Sequence, residues 1–179
     1  MQPGGDMRLG FAVKVLGRPG LKSDDSRRWM NSPHLRVSLG YLDAIFDYLR
    51  ERRICMYRIS SNIAPYITHP EMPQFHYQIE ECAGELEKLG RKARALDLRL
   101  SMHPSQYIVL NSPREGVHLA AVKDLEYHAR FLDAMSLGPE AVVVIHGGGA
   151  YGDKRAAMER FARRYLELPE YVRRRLVVE

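Results

Sequence analysis

Ala141-Val-Val-Val-Ile-His146 has no polar face until its last residue. Valine and isoleucine favour extended backbone. A strand that is apolar on both sides is covered on both sides, which marks a parallel sheet rather than a half-solvated antiparallel one. Similar short runs lie on either side of it: Arg8–Val13, Cys55–Ser60 and Arg99–Met102 before, 175–179 after. Between them the apolar spacing changes to the helical three-and-four pattern. Leu35, Leu39, Leu42, Ile45, Phe46 and Leu49 form one stripe, behind a start expected at Ser32 as N-cap with Pro33 at the first helical position. Ile79, Cys82, Leu86, Leu89, Ala93 and Leu96 form the second stripe. Val122, Leu125, Leu132 and Met135 form the third, opened by a capping-box spacing at Ser112–Glu115 and stopped by Gly138-Pro139. Met158, Phe161 and Tyr165 belong to the fourth. Four strand–helix units and a trailing strand predict an α/β fold of parallel βα units, either a doubly wound sheet or part of a (β/α)8 TIM barrel. No glycine-rich phosphate fingerprint follows any strand, which counts against a nucleotide-binding sheet.

The 179 residues are 45% hydrophobic and 27% charged, the balance of one folded domain spanning 1–179. The apolar runs are strand-length, too short to cross a bilayer. MQPGGDMRLG lacks an apolar signal core, so the expected location is cytoplasmic, and Cys55 and Cys82 are expected to be reduced. The net charge of +5 favours a polyanionic partner without identifying it. The basic clusters at 50–53, 91–94 and 173–175 fall at expected helix ends, where cations complement the helix dipole.

In parallel α/β folds, reactive side chains collect at the C-terminal ends of strands. His103, His146 and Glu179 each end a strand, and His69 lies in the long loop after the second. One histidine alone is usually a hydrogen-bonded structural residue. Two histidines and a carboxylate at equivalent strand ends are the ligand set of zinc or manganese. His34, His76, His118 and His128 lack this placement and are read as structural or surface residues. Gly147-Gly-Gly149 suits either a tight turn or a close approach to phosphate or metal. Gln106 and Tyr107 read, without context, as a loop glutamine and a packed tyrosine.

Arg8-Leu-Gly-Phe11, Tyr57-Arg-Ile-Ser60, Thr68-His-Pro70, Leu100-Ser-Met-His-Pro-Ser-Gln-Tyr107, His146-Gly-Gly-Gly-Ala-Tyr-Gly152 and Val178-Glu179 together resemble the UV damage endonucleases, in matching order and spacing from about Met7 onward. The resemblance implies a TIM barrel of the endonuclease IV and xylose isomerase type. It implies an endonuclease that nicks DNA 5′ of UV photoproducts and other lesions with a divalent metal cluster. Manganese is the common metal, with zinc, magnesium or cobalt as alternatives. His69, His103, His146 and Glu179 stand at metal-cluster positions. Gln106 and Tyr107 match a pair that fills the space opposite a flipped-out lesion, and Phe11 stands where a tyrosine near the damaged nucleotides is frequent. Lys154 and Arg155 are weaker phosphate candidates, equally explained as a solvated helix start. Ser105 replaces a frequent glycine, and the loop Lys14–Asn31 matches poorly.

The resemblance also implies roughly another hundred residues, in keeping with a complete barrel of about 250. The expectation is therefore four βα units and strand five of a barrel, weakly active or inactive alone, with edges prone to self-association. Double-stranded damaged DNA is the expected partner, with no membrane and no obligate protein partner. A metal-dependent sugar isomerase or epimerase on a related barrel is the alternative; a sugar pocket needs neither the Gln-Tyr pair nor the basic surplus.

Overall fold

The computed structural model describes residues 8–179. The N-terminal stretch read above as lacking a signal core lies largely outside them. Five parallel strands form one sheet: β1 (Gly10–Ala12), β2 (Met56–Ile59), β3 (Arg99–Met102), β4 (Val142–Ile145) and β5 (Leu176–Val178). Their spatial order is the sequence order, β1-β2-β3-β4-β5. A doubly wound sheet reverses its order at a switch point. The absence of a reversal identifies the barrel type of winding, with the connections on one face.

Burial alternation locates that face. Tyr57 and Ile59, Leu100 and Met102, and Val143 and Ile145 are buried. They pack with α1 (Leu35–Arg52), α3 (Ala83–Ala95) and α4 (Glu115–Ala134) in one hydrophobic cluster. The four-residue α2 (Gln78–Glu81) precedes α3, and α5 (Lys154–Glu167) and α6 (Glu170–Arg173) lie between β4 and β5. Alternate residues such as Arg58, Val142 and Val144 stand on the opposite face and are only half-buried.

Several local expectations are corrected. Helix α1 begins at Leu35, not Pro33, because Ser32 turns left-handed and His34 is the extended N-cap. The His34 Nδ1 accepts from Arg36 N at 3.1 Å, while the His34 backbone N–H donates to Asp25 Oδ2 at 2.9 Å. The Ser112–Glu115 capping box does not form. Ser112 Oγ accepts from Arg114 N, Glu115 pairs with Arg164 at 3.0 Å, and α4 starts without a side-chain cap. The second helical stripe is interrupted at Cys82, where φ is −111° and ψ 19°. Buried Gln78 braces that junction, donating to the Pro65 and Phe75 carbonyls and accepting from Leu35 N. The short α6 was not expected.

Both cysteines are free, and among the described residues no helix is long and apolar enough to cross a membrane.

Candidate metal centre

Strand parity builds the site. Met102 pairs toward the helices, so the next residue, His103, projects to the opposite face. His146 follows Ile145 and Glu179 follows Val178 with the same parity, and Ile145 and Val178 are register partners. The three side chains converge, with ligand-type atoms all within 4.8 Å of one another. The His103 and His146 rings meet edge-on with centroids 4.8 Å apart.

Hydrogen bonding sets the tautomer of His103. Its Nδ1 lies 2.9 Å from the Pro104 carbonyl oxygen, which can only accept, so Nδ1 carries the proton. In the neutral ring Nε2 is then a lone pair, and it faces Glu179 Oε2 at 3.2 Å. Two acceptors at that distance call for a positive charge between them, either a proton or a metal ion. A backbone carbonyl orienting the far nitrogen of an imidazole is the usual support of a histidine ligand. Two imidazoles and a carboxylate opening to solvent therefore fit a divalent cation with free coordination positions.

The remaining expected residues are placed as follows. His69 lies outside the group of three. Its Nδ1 accepts from Glu71 N at 3.3 Å, and its ring stands edge-on to Tyr66. Gln106 and Tyr107 occupy the tip of a turn closed by Ile108 N donating to the Ser105 carbonyl at 2.9 Å. Tyr107 is 76% exposed, so the reading of a packed tyrosine is excluded. Phe11 is not brought to the site. It pairs in register with Tyr57, and its ring packs edge-on against Tyr57 and Tyr48 on the helix-covered face. Parity gives Gly10 and Ala12 the other face instead. Lys154 borders a mainly apolar cavity of about 470 Å³ with Gly147–Gly149, and Arg155 pairs with Glu159 at 3.0 Å.

Two residues near the site were not anticipated. Asn111 is buried, donates to the Gly149 carbonyl at 2.9 Å and lies against Gly148, whose φ of 83° and lack of Cβ permit the approach. It props the glycine loop behind His146. Arg58 shares the face of His103, its register partner being Ser101. Its place in Tyr57-Arg-Ile-Ser60 was the available signal.

Comparison with known proteins follows the same residues. The family model described as UV-endonuclease UvdE matches residues 38–179. The UV DNA damage endonuclease of Clostridium perfringens is 36% identical over 144 residues, 80% of this chain and 34% of that protein. That of Bacillus velezensis is 39% identical over 132 residues, 74% of this chain and 41% of that protein. The crystal structure of SacUVDE superposes with a TM-score of 0.86 and 31% identity over 96% of this chain and 60% of that one. The chain thus spans less than half the length of these curated relatives.

Proposed function

The chain belongs to the UV-endonuclease UvdE family, and we propose that it serves a DNA-repair endonuclease that nicks damaged double-stranded DNA on the 5′ side of UV photoproducts and other lesions. The single observation that carries the reading is the pair of facing acceptors, His103 Nε2 and Glu179 Oε2 at 3.2 Å, with His146 beside them. His103, His146 and Glu179 would hold a divalent cation, manganese first among the candidates, with His69 joining from its loop. Bound there, the cation would supply an activated water and charge relief at the phosphate.

The chain's own groups do the rest. The Pro104 carbonyl fixes the His103 ring, so that the lone pair is presented without reorganisation. Asn111 holds the glycine loop open beside His146. Gln106 and Tyr107, exposed on a short turn next to His103, are suited to enter a duplex and occupy the space left by an extruded lesion. Base–aromatic stacking of about 1–3 kcal/mol offsets part of the few kcal/mol of unstacking, which is lower for a damaged base. Lys154 is a phosphate contact of lesser weight, and Arg155 of less still because Glu159 engages it. Phe11 is left out, since its ring belongs to the helix-side core. Family membership favours this reading over the sugar isomerase.

Metal content tests the site. After dialysis against manganese, elemental analysis is expected to find bound ion, and His103→Ala and His146→Ala are expected to lose most of it. Unchanged stoichiometry would overturn the ligand assignment. Nicking of UV-irradiated supercoiled plasmid in manganese is expected to exceed that of undamaged plasmid, if only weakly. Equal nicking of both would overturn the repair reading.

A further inference from the structure

The loop between β1 and α1 precedes the family-matched residues, which begin at 38. It carries Lys14, Arg18, Lys22, Arg27 and Arg28, followed by Trp29, the only tryptophan of the chain. Lys14, Arg18 and Lys22 border one open cleft of about 610 Å³. None of the three forms an ion pair among the described residues, whereas Arg8, Arg36, Arg91, Lys92 and Arg155 do. Lys22 lies 5.8 Å from the centroid of the Tyr41 ring. The carboxylate bordering the same cleft, Asp24, is occupied by the Ser60 and Ser23 hydroxyls at 2.7 and 3.1 Å.

The far end of the loop is rigidly built. Buried Asp25 receives a bidentate bond from Arg27 at 2.7 and 2.6 Å and the backbone N–H of His34. Arg27 also donates to the Ser32 carbonyl at 3.3 Å. Both ends of the Trp29–Asn31 turn are thereby tied to one carboxylate, and Trp29 and Met30 are held outward at 51% and 60% exposure. A lone exposed apolar residue needs no explanation. A braced tryptophan that follows Arg27 and Arg28, on the same loop as a cleft whose three cations form no ion pair among the described residues, is different, because one loop then offers aromatic surface and positive charge. The Ser60–Asp24 bond fixes the loop at the C-terminal end of β2, the same sheet end that carries His103. A second cleft joins Asp24–Arg27 to Asn62–Tyr66, and the Tyr66 ring lies 6.2 Å from His69.

We propose that this loop is a single-stranded DNA subsite, in which Lys14, Arg18 and Lys22 follow the phosphates and Trp29 stacks an unpaired base. Cationic grooves with aromatic platforms bind single strands in this way, without sequence preference. The inference rests on the DNA reading given above and extends it to a strand opened at the sheet end that carries His103.

Trp29, being unique, reports on itself. Titration of the full chain with oligothymidylate is expected to quench its emission saturably, and dextran sulfate at equal charge is expected not to. Anisotropy of a labelled oligonucleotide then measures affinity. Trp29→Ala is expected to weaken binding roughly 5- to 150-fold while Trp29→Phe retains most of it. The triple change Lys14→Ala, Arg18→Ala, Lys22→Ala is expected to lower the salt slope by about 2, as loss of three single-strand phosphate contacts requires. Far-UV circular dichroism is expected to be the same for all the variants. No quenching, equal quenching by dextran sulfate, or an unaffected Trp29→Ala would overturn the proposal. Plasmid nicking retained without quenching overturns this subsite alone. Quenching retained with equal nicking of irradiated and unirradiated plasmid overturns the repair reading and leaves the subsite standing.

Discussion

Single side chains in this protein are often decided by partners far away in the chain. Asp25 is held below the ordinary carboxyl range by its bond from Arg27, against the opposing effect of burial, with backbone N–H groups of His34 and Arg27 adding to it. A depressed folded pKa stabilises the fold above the ordinary value of 3.8 and loses that contribution as pH falls through the folded value. Asp25→Asn is therefore expected to lower Tm at neutral pH, with the gap to the parent narrowing only below about pH 4. A gap that is unchanged down to pH 2 would refute this. Arg175 was read as one of a basic helix-end cluster. It is instead 2% exposed, bonded to Asp133 and to the Leu137, Gly138 and Ala141 carbonyls. Arg175→Ala strands a carboxylate and three carbonyls and is expected to cost about 3–5 kcal/mol, on the order of 10 °C in Tm. A loss under 2 °C in calorimetry would contradict it. Its neighbour Arg174 is exposed, and nothing in Arg173-Arg-Arg175 distinguishes the two before the chain is folded.

At the level of elements, the helical stripes were legible because their period is local, and the helix starts were not because their caps come from elsewhere. Helix α1 is started by Asp25 and Gln78, nine and forty-three residues from the groups they receive. Gly90 makes the same point about packing. In α3 it looks like a weak helix residue, yet a Cβ there would drive into the Met135 carbonyl of the α4 end. Gly90→Ala gains about 1 kcal/mol of helix propensity and incurs overpacking of about 1–3 kcal/mol or more. Its Tm is expected to fall by several degrees. A stabilised variant in thermal denaturation would show that α3 and α4 can separate at no cost.

For the whole molecule, the sequential parallel order leaves β1 and β5 as the edges of the described sheet. On β5, Val177 and Val178 are 40% and 57% exposed, and unpaired edge strands with apolar side chains template association. Sedimentation velocity is expected to show concentration-dependent self-association, reduced by Val178→Lys. A monomer at all concentrations would remove the edge as an interaction site. The match to SacUVDE over 96% of the chain agrees with the barrel-type winding inferred from strand order alone.

Periodicity and strand-end position are local properties, so the parallel βα fold and the convergence of His103, His146 and Glu179 could be read before any coordinates. The motif around His103 also named Gln106 and Tyr107, though not that Tyr107 stands clear of the core. Which face a side chain takes depends on register with a neighbouring strand, and that came only with the tertiary structure. Pairing with Tyr57 turns Phe11 toward α1, away from the face that carries His103, where a residue near the damaged nucleotides was expected. The tautomer of His103 was likewise out of reach of the sequence. It follows from one carbonyl at 2.9 Å and one carboxylate at 3.2 Å, and the second belongs to a strand seventy-six residues away.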